Sequence, residues 1–69
     1  MPLTMARSGD VNIVKQIRGK DETHRFLESL GFVEGSPVTV ISEIGGNLIV
    51  NIKDTRIALS KAMANRIII

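Results

Sequence analysis

Hydrophobic and polar residues alternate with a period of two in several segments of the chain, a pattern typical of β-strands that bury one face. Five segments carry it and predict five short strands: residues 11–18, 38–44, 48–52, 56–59 and 67–69. Turn sequences separate them, because Gly45-Gly46-Asn47 can supply the positive φ angles of a tight hairpin and Asp54-Thr55 predicts a second turn. The sequence therefore predicts a mainly β protein.

The segment between the first and second predicted strands follows a helical period instead. Its apolar stripe falls at positions i, i+3, i+4 and i+7: Thr23, Phe26, Leu27 and Leu30. Asp21 is placed to cap the first turn, and Gly31 is placed to end the helix in the left-handed conformation. Ser60 predicts a second, shorter helical turn that runs to Asn65.

Strict alternation along the strands assigns twelve aliphatic residues to the core face: Val11, Ile13, Ile17, Val38, Val40, Leu48, Val50, Ile52, Ile57, Leu59, Ile67 and Ile69. It sends four others the opposite way: Val14, Ile41, Ile49 and Ile68. Two interpretations remain open for these four. Either a β-bulge or the helix covers them, or they form an exposed apolar patch that contacts a protein partner or a second copy of the chain.

Length and composition favour one domain, residues 1–69. Hydrophobic residues make up 43% of the chain and include ten isoleucines and six valines, while cysteine is absent, so burial of β-branched side chains must hold the fold. Five short strands and one short helix predict a small, partly open barrel. There is no signal-peptide pattern and no run of about eighteen apolar residues, so we expect a cytoplasmic protein without direct membrane insertion.

Charge and side-chain chemistry argue against several functional classes. Nine Lys and Arg against seven Asp and Glu give a net charge of +2, and two phenylalanines offer few surfaces for stacking bases, so no nucleic-acid partner is expected. The single histidine, His24, lies on the predicted helix, so we predict no catalytic residues and no enzymatic activity. Gly45-Gly46-Asn47 lacks the Lys and Ser/Thr of a phosphate-binding loop.

Three side chains on the predicted helix are candidate metal ligands. Asp21, His24 and Glu28 fall at i, i+3 and i+7, a spacing at which oxygen and nitrogen donors could touch one divalent ion such as Fe²⁺. In the competing interpretation, Asp21 only caps the helix and His24 is a surface residue. Glu28 then pairs with Arg25, and no firmly bound cofactor is implied.

Three stretches of the chain resemble FeoA proteins. Residues 25–40, Arg-Phe-Leu-Glu-Ser-Leu-Gly-Phe-Val-Glu-Gly-Ser-Pro-Val-Thr-Val, are similar to the part of that family in which a leucine-rich helix ends at Leu-Gly and a Gly precedes a Val-rich strand. Thr55-Arg56-Ile57-Ala58-Leu59 resembles the family's later strand, and Leu3-Thr4 followed by Gly9-Asp10 resembles its usual opening. Together these stretches span nearly the whole chain.

The resemblance implies an SH3-like barrel and a small cytoplasmic accessory protein of bacterial ferrous iron uptake. Such a protein acts on the membrane permease FeoB, which carries a cytoplasmic GTP-binding domain, and would reach the inner face of the membrane through that partner. The matched residues also have expected structural roles: Leu27, Leu30, Gly31, Gly35, Pro37, Ile57, Ala58 and Leu59. Phe26 and Phe32 depart from the family pattern, because they are bulkier than the leucines more typical there.

We predict that the partner contacts the corner that follows the helix, since recognition commonly lies on loops held by a rigid scaffold. The predicted contact residues are Leu30, Gly31, Phe32 and Glu34, with Arg56 as a second contact. Arg56 either pairs with Asp54 or Glu43, or presents its guanidinium group to an acidic partner. Two other functions remain open, a metal-responsive domain related to the C-terminal domain of iron-dependent repressors and a small RNA-binding barrel.

Overall fold

The computed structural model describes all 69 residues and contains six strands: β1 (Val11–Ile13), β2 (Gln16–Ile17), β3 (Pro37–Ile44), β4 (Asn47–Ile52), β5 (Thr55–Ser60) and β6 (Ile67–Ile68). A four-stranded antiparallel sheet has the order β1-β3-β4-β5, and a two-stranded antiparallel sheet pairs β2 with β6. Helix α1 (Glu22–Ser29) connects β2 to β3, and the short helix α2 (Lys61–Ala64) connects β5 to β6. The architecture is the predicted mainly β, partly open barrel.

The predicted first strand, residues 11–18, is in fact two strands that belong to different sheets, because β1 pairs with β3 and β2 pairs with β6. The chain turns between them at Val14. The Val14 amide donates to the carbonyl of Ser36 at 2.9 Å, and the Val14 carbonyl accepts from the Gly35 amide at 2.8 Å. The turn reverses the phase of the alternation, so Val14 is buried and the prediction that it faces away from the core is wrong.

Two tight hairpins connect β3, β4 and β5. Gly45 and Gly46 form the first turn with φ angles of 56° and 83°, as the sequence predicts. The second turn consists of Lys53 and Asp54, with φ angles of 49° and 61°, one residue earlier than predicted. A β-bulge at Ile41 interrupts the pairing of β3 with β4 between Val40 and Ser42. The extra residue changes the phase of β3, so Ile44 is exposed instead of facing the core.

Helix α1 begins and ends as the sequence predicts. The Asp21 carboxylate accepts from the His24 amide at 3.2 Å, which caps the first turn. At the other end, Gly31 has a φ of 107°, its amide donates to the Glu28 carbonyl, and the Phe32 amide donates to the Leu27 carbonyl. This pair of hydrogen bonds is a Schellman motif, which turns the chain sharply at Gly31 and directs Phe32 back toward the core.

Thirteen hydrophobic side chains form the buried core: Leu3, Val14, Leu27, Phe32, Val38, Val40, Leu48, Val50, Ile52, Leu59, Ala64, Ile67 and Ile69. Leu30, Ile17 and Ile57 pack against it while partly exposed. Alternation along strands does not identify Leu3, which lies in a 3₁₀ turn (Leu3–Met5), or Ala64, which lies in α2. Residues outside strands therefore complete the core.

The surplus aliphatic residues are distributed differently from the prediction. Val14 is buried and Ile49 and Ile68 are half-buried, so these three do not form an exposed patch, and only Ile41 among the four is exposed. The exposed hydrophobic residues of the strands and of α1 are instead Val11, Ile13, Ile41, Ile44 and Phe26. The expectation that Val11 and Ile13 face the core is wrong, because the turn at Val14 places them on the outer face.

Candidate functional site

A pocket of about 170 Å³ lies where α1, β2 and the segment after α1 meet. Seven residues line it: Gln16, Ile17, His24, Glu28, Phe32, Val33 and Glu34. Ligand sites for cofactors and other small molecules usually enclose about 300–1,000 Å³, so this pocket is too small for a nucleotide or a prosthetic group. Its volume is comparable to that of one side chain.

The apolar wall of the pocket depends on the end of α1. Phe32 is fully buried at 0% exposure and lines the pocket from beneath, because the turn at Gly31 directs its ring into the core. Val33 follows Phe32 in the chain, lines the pocket and is 37% exposed. Ile17, which comes from β2, also lines the pocket and is half-buried. Gly31 has a φ of 107°, which would strain any residue with a Cβ, and a Cβ there would also lie 3.1 Å from the Lys53 Cδ.

Polar groups at the pocket are held by α1. His24 Nδ1 lies 2.5 Å from the carbonyl oxygen of Gly19, and a carbonyl can only accept, so Nδ1 carries a proton and donates it. His24 Nε2 then faces the Glu28 carboxylate, with an Nε2 to Oε1 distance of 3.3 Å. The imidazole ring is therefore fixed in orientation, and its second nitrogen and the Glu28 carboxylate point to the same region.

The structure does not bring together the three predicted metal ligands. The Asp21 carboxylate is bonded through both oxygens to Arg66, at 2.9 Å each, and also caps α1. Only His24 and Glu28 remain adjacent, and no group of three or more His, Cys, Asp or Glu side chains is placed to hold a metal ion. The predicted trio of Asp21, His24 and Glu28 is therefore corrected, because a bidentate arginine occupies the oxygens that a metal would need.

The pair formed by Asp21 and Arg66 also sets the electrostatics at the start of α1. The hydrogen bond from the Arg66 guanidinium lowers the pKa of Asp21 from 3.8 to about 2, and the His24 amide acts in the same direction. The same contact raises the pKa of Arg66 above its usual value. Since 45 residues separate the two, this pair ties the start of α1 to the segment before β6 and fixes the helix that carries one side of the pocket.

The predicted partner-contact residues have different environments. Glu34 is exposed at the pocket and Leu30 is half-buried against the core, whereas Gly31 and Phe32 are buried. Phe32 therefore cannot contact a partner directly, and that prediction is corrected: its ring supports the pocket from inside.

Arg56 lies apart from the pocket, on the edge strand β5. Its side chain is exposed and forms no salt bridge with Asp54 or Glu43. Glu43 pairs instead with Lys61, with a distance of 3.3 Å between Lys61 Nζ and Glu43 Oε1. The guanidinium group of Arg56 is thus available at the surface.

Sequence reasoning missed four residues of this region: Gln16, Ile17 and Val33 of the pocket, and Arg66. Gln16 and Ile17 approach α1 only because β2 leaves the first sheet to pair with β6. Arg66 is far from Asp21 in sequence, and no periodicity indicates that contact. The one available signal was the Leu-Gly helix end, which predicted the corner at which Val33 is exposed.

Comparison with known protein families assigns the FeoA domain to residues 1–69. A crystal structure of an iron uptake regulatory protein (FeoA) is 32% identical, with a TM-score of 0.85 over 96% of this chain and 88% of that one. The zinc complex of Stenotrophomonas maltophilia FeoA is 30% identical, with a TM-score of 0.87 over 99% of this chain and 87% of that one. The latter is described as a prokaryotic SH3 domain protein and a candidate activating factor for bacterial ferrous iron transport.

The same fold occurs within a larger protein of another kind. A manganese-dependent transcriptional repressor is 27% identical, with a TM-score of 0.85 over 97% of this chain and 39% of the repressor. A comparison with curated proteins finds no significant match. Neither helix has the length and apolar character needed to cross a bilayer.

Proposed function

This chain belongs to the FeoA family, and we propose that it is a non-enzymatic accessory protein that docks on the cytoplasmic part of a FeoB-type permease and modulates ferrous iron uptake. The observation that carries the proposal is the FeoA match over every residue of the chain. Docking is the mode of action that suits a small rigid barrel whose pocket is too small for a cofactor.

The contact surface that we propose lies at the corner after α1 and consists of Leu30, Val33 and Glu34, the corner surface. Val33 and Glu34 are exposed beside the pocket, and Leu30 is half-buried on the helix just before them. Backbone hydrogen bonds of the Schellman motif hold this corner rigid, so little conformational entropy is lost when a partner binds. Arg56 on β5 is a second contact in this proposal, because its guanidinium group is free to bind an acidic side chain.

A charge placed on the corner surface tests the proposal. Val33→Lys should abolish binding of the purified cytoplasmic domain of the permease, measured by calorimetry, because an ammonium group would be desolvated in an apolar contact. Val11→Lys is the matched control, since Val11 is 67% exposed on β1, outside the corner surface. Circular dichroism should show both variants folded. Equal binding by the two variants would place the contact elsewhere, and no binding by the unsubstituted chain would refute docking itself.

A second candidate function, a metal-responsive module, is favoured by the similarity to the manganese-dependent repressor. It would need a metal to change the structure or the contacts of this chain. Titration with Mn²⁺ or Fe²⁺ followed by NMR would detect this as shifts around His24 and Glu28, the two potential ligands that are adjacent. If neither ion changes the affinity of the chain for the permease domain, the metal-responsive function is refuted and the accessory role is unaffected.

A further inference from the structure

The pocket beside the corner surface has the size and the apolar wall that a long side chain requires. At about 170 Å³ it has room for roughly five or six water volumes. Ile17 and Val33 supply its accessible apolar part, and the fully buried Phe32 borders it on the core side. Lys and Arg side chains have an apolar stem of several methylene groups that packs on such surfaces while the charged end stays near polar groups.

The polar groups of the pocket are predominantly hydrogen-bond acceptors. Glu28 and Glu34 each contribute a carboxylate, which accepts only, and Gln16 contributes an amide, which can accept and donate. His24 Nδ1 is engaged with the Gly19 carbonyl, so Nε2 is the ring nitrogen left beside Glu28, 3.3 Å from its Oε1. The ring and the Glu28 carboxylate thus form one polar corner of the pocket.

The charge of the pocket contrasts with the rest of the chain. The protein has nine Lys and Arg residues, yet none of them lines the pocket. Glu34 forms no salt bridge, and the only salt bridge of Glu28 is with His24. The pocket is thus an acidic site on a chain with a net charge of +2, and complementarity favours a cationic group.

We propose that this pocket receives one Arg or Lys side chain of the protein partner, with its stem against the apolar wall and its charged end on Glu28 and Glu34. Arginine fits best, because its planar guanidinium group has five donors and can bind two acceptors at once. The inference rests on the proposed function for the identity of the partner, and it specifies the chemistry of the contact. Docking on the permease would then require a basic residue on the surface that faces the corner.

A charge-neutral double variant tests this contact. Glu28→Gln with Glu34→Gln should weaken binding of the cytoplasmic permease domain by about tenfold or more. The variant removes both carboxylates, which leaves the partner's Arg or Lys desolvated in the contact without an opposite charge. The matched control is Glu22→Gln with Asp54→Asn, which removes two exposed acids outside the pocket and changes the net charge by the same amount. Its affinity should stay within about twofold, because salt screens charges that are remote from the contact. Equal loss in both double variants would overturn the proposal, because only overall charge would then matter.

A second measurement makes the result independent of the permease. NMR titration of the full chain with N-acetyl-arginine amide should shift the signals of Ile17, His24 and Val33, and N-acetyl-norleucine amide, which lacks the charge, should not. The Glu28→Gln, Glu34→Gln variant should lose these shifts. If arginine amide has no effect while Zn²⁺ shifts the same signals, the pocket is a cation site and the proposal is wrong. If arginine amide binds but the permease domain does not, docking on the permease fails and the pocket's preference stands.

Discussion

Asp21 shows how one side chain can connect distant parts of a small barrel. Its carboxylate caps α1 through the His24 amide and binds the Arg66 guanidinium through both oxygens. Arg66 also covers Gly19, where any Cβ would overlap the guanidinium group. The residues that start α1 are therefore fixed by a contact that spans most of the chain, and the position of His24 at the pocket depends on it.

The pKa of Asp21 tests this contact. Arg66→Gln should raise the pKa of Asp21 from about 2 toward its ordinary 3.8, because the guanidinium hydrogen bond is the largest cause of the lowering. Carboxyl ¹³C signals followed against pH measure the change. Arg18→Gln is the control, since Arg18 carries the same charge nearby in sequence and forms no salt bridge, and it should leave the pKa near 2.

The same pKa fixes the sign of the pH dependence of folding. Because the pKa of Asp21 is lower in the folded chain than in the unfolded chain, the pair stabilises the fold above pH 3.8 and this contribution is lost as the pH falls toward 2. The free energy of unfolding of the unsubstituted protein should therefore fall more steeply than that of Arg66→Gln between these values. Parallel curves would show that the guanidinium group has no part in the shift.

Among the elements, α1 shows what the hydrophobic pattern could and could not predict. The pattern correctly placed the cap at Asp21, the stop at Gly31 and the buried Leu27. It placed Phe26 in the core stripe, yet that side chain is 51% exposed. A helix of eight residues has room for a narrow contact with a small barrel, and Leu27 and Leu30 fill it, so Phe26 lies at the edge of the apolar stripe.

The two phenylalanines provide a direct test of that arrangement. Phe32→Leu should lower the free energy of unfolding by about 1–1.5 kcal/mol through imperfect refilling of the core, whereas Phe26→Leu should change it by less than about 0.5 kcal/mol because the ring is half in solvent. Urea denaturation measures both. A larger effect at Phe26 than at Phe32 would mean that the helix packs through a different face.

The strands explain why alternation alone assigned some core residues incorrectly. Period-two reasoning holds only while one strand keeps one partner, and it succeeded along β4, where Leu48, Val50 and Ile52 are all buried. It failed at the turn at Val14 and at the bulge at Ile41, because at each place the alternation shifts by one residue and the side chains that follow change faces. Both depend on which strands pair across the barrel, and a local pattern does not contain that information.

The candidate site was less predictable than the fold for a similar reason. The contact was predicted at the corner after α1, where Leu30 is half-buried and Glu34 is exposed, and it stays a prediction. The pocket itself is formed by β2, α1 and the segment after α1, which are brought together only when β2 pairs with β6. The burial of Phe32 follows from the direction of the Schellman turn, and a sequence motif that ends at Leu-Gly does not specify which way the next ring points.

For the whole molecule, the proposed mode of action is contact with the permease. The barrel of 69 residues has one pocket of about 170 Å³, and neither of its helices is long and apolar enough to cross a membrane. Under the proposed function, association of the chain with membranes depends on the presence of the permease. The corner surface and the acidic pocket together specify where that contact would form.

The most direct test is sedimentation of the chain with membranes from cells that contain or lack the FeoB-type permease. We expect the chain to appear in the membrane pellet only when the permease is present, and to be released from it by salt because the proposed contact includes ion pairs. Equal amounts in the pellet with and without the permease, or none in either, would contradict the account.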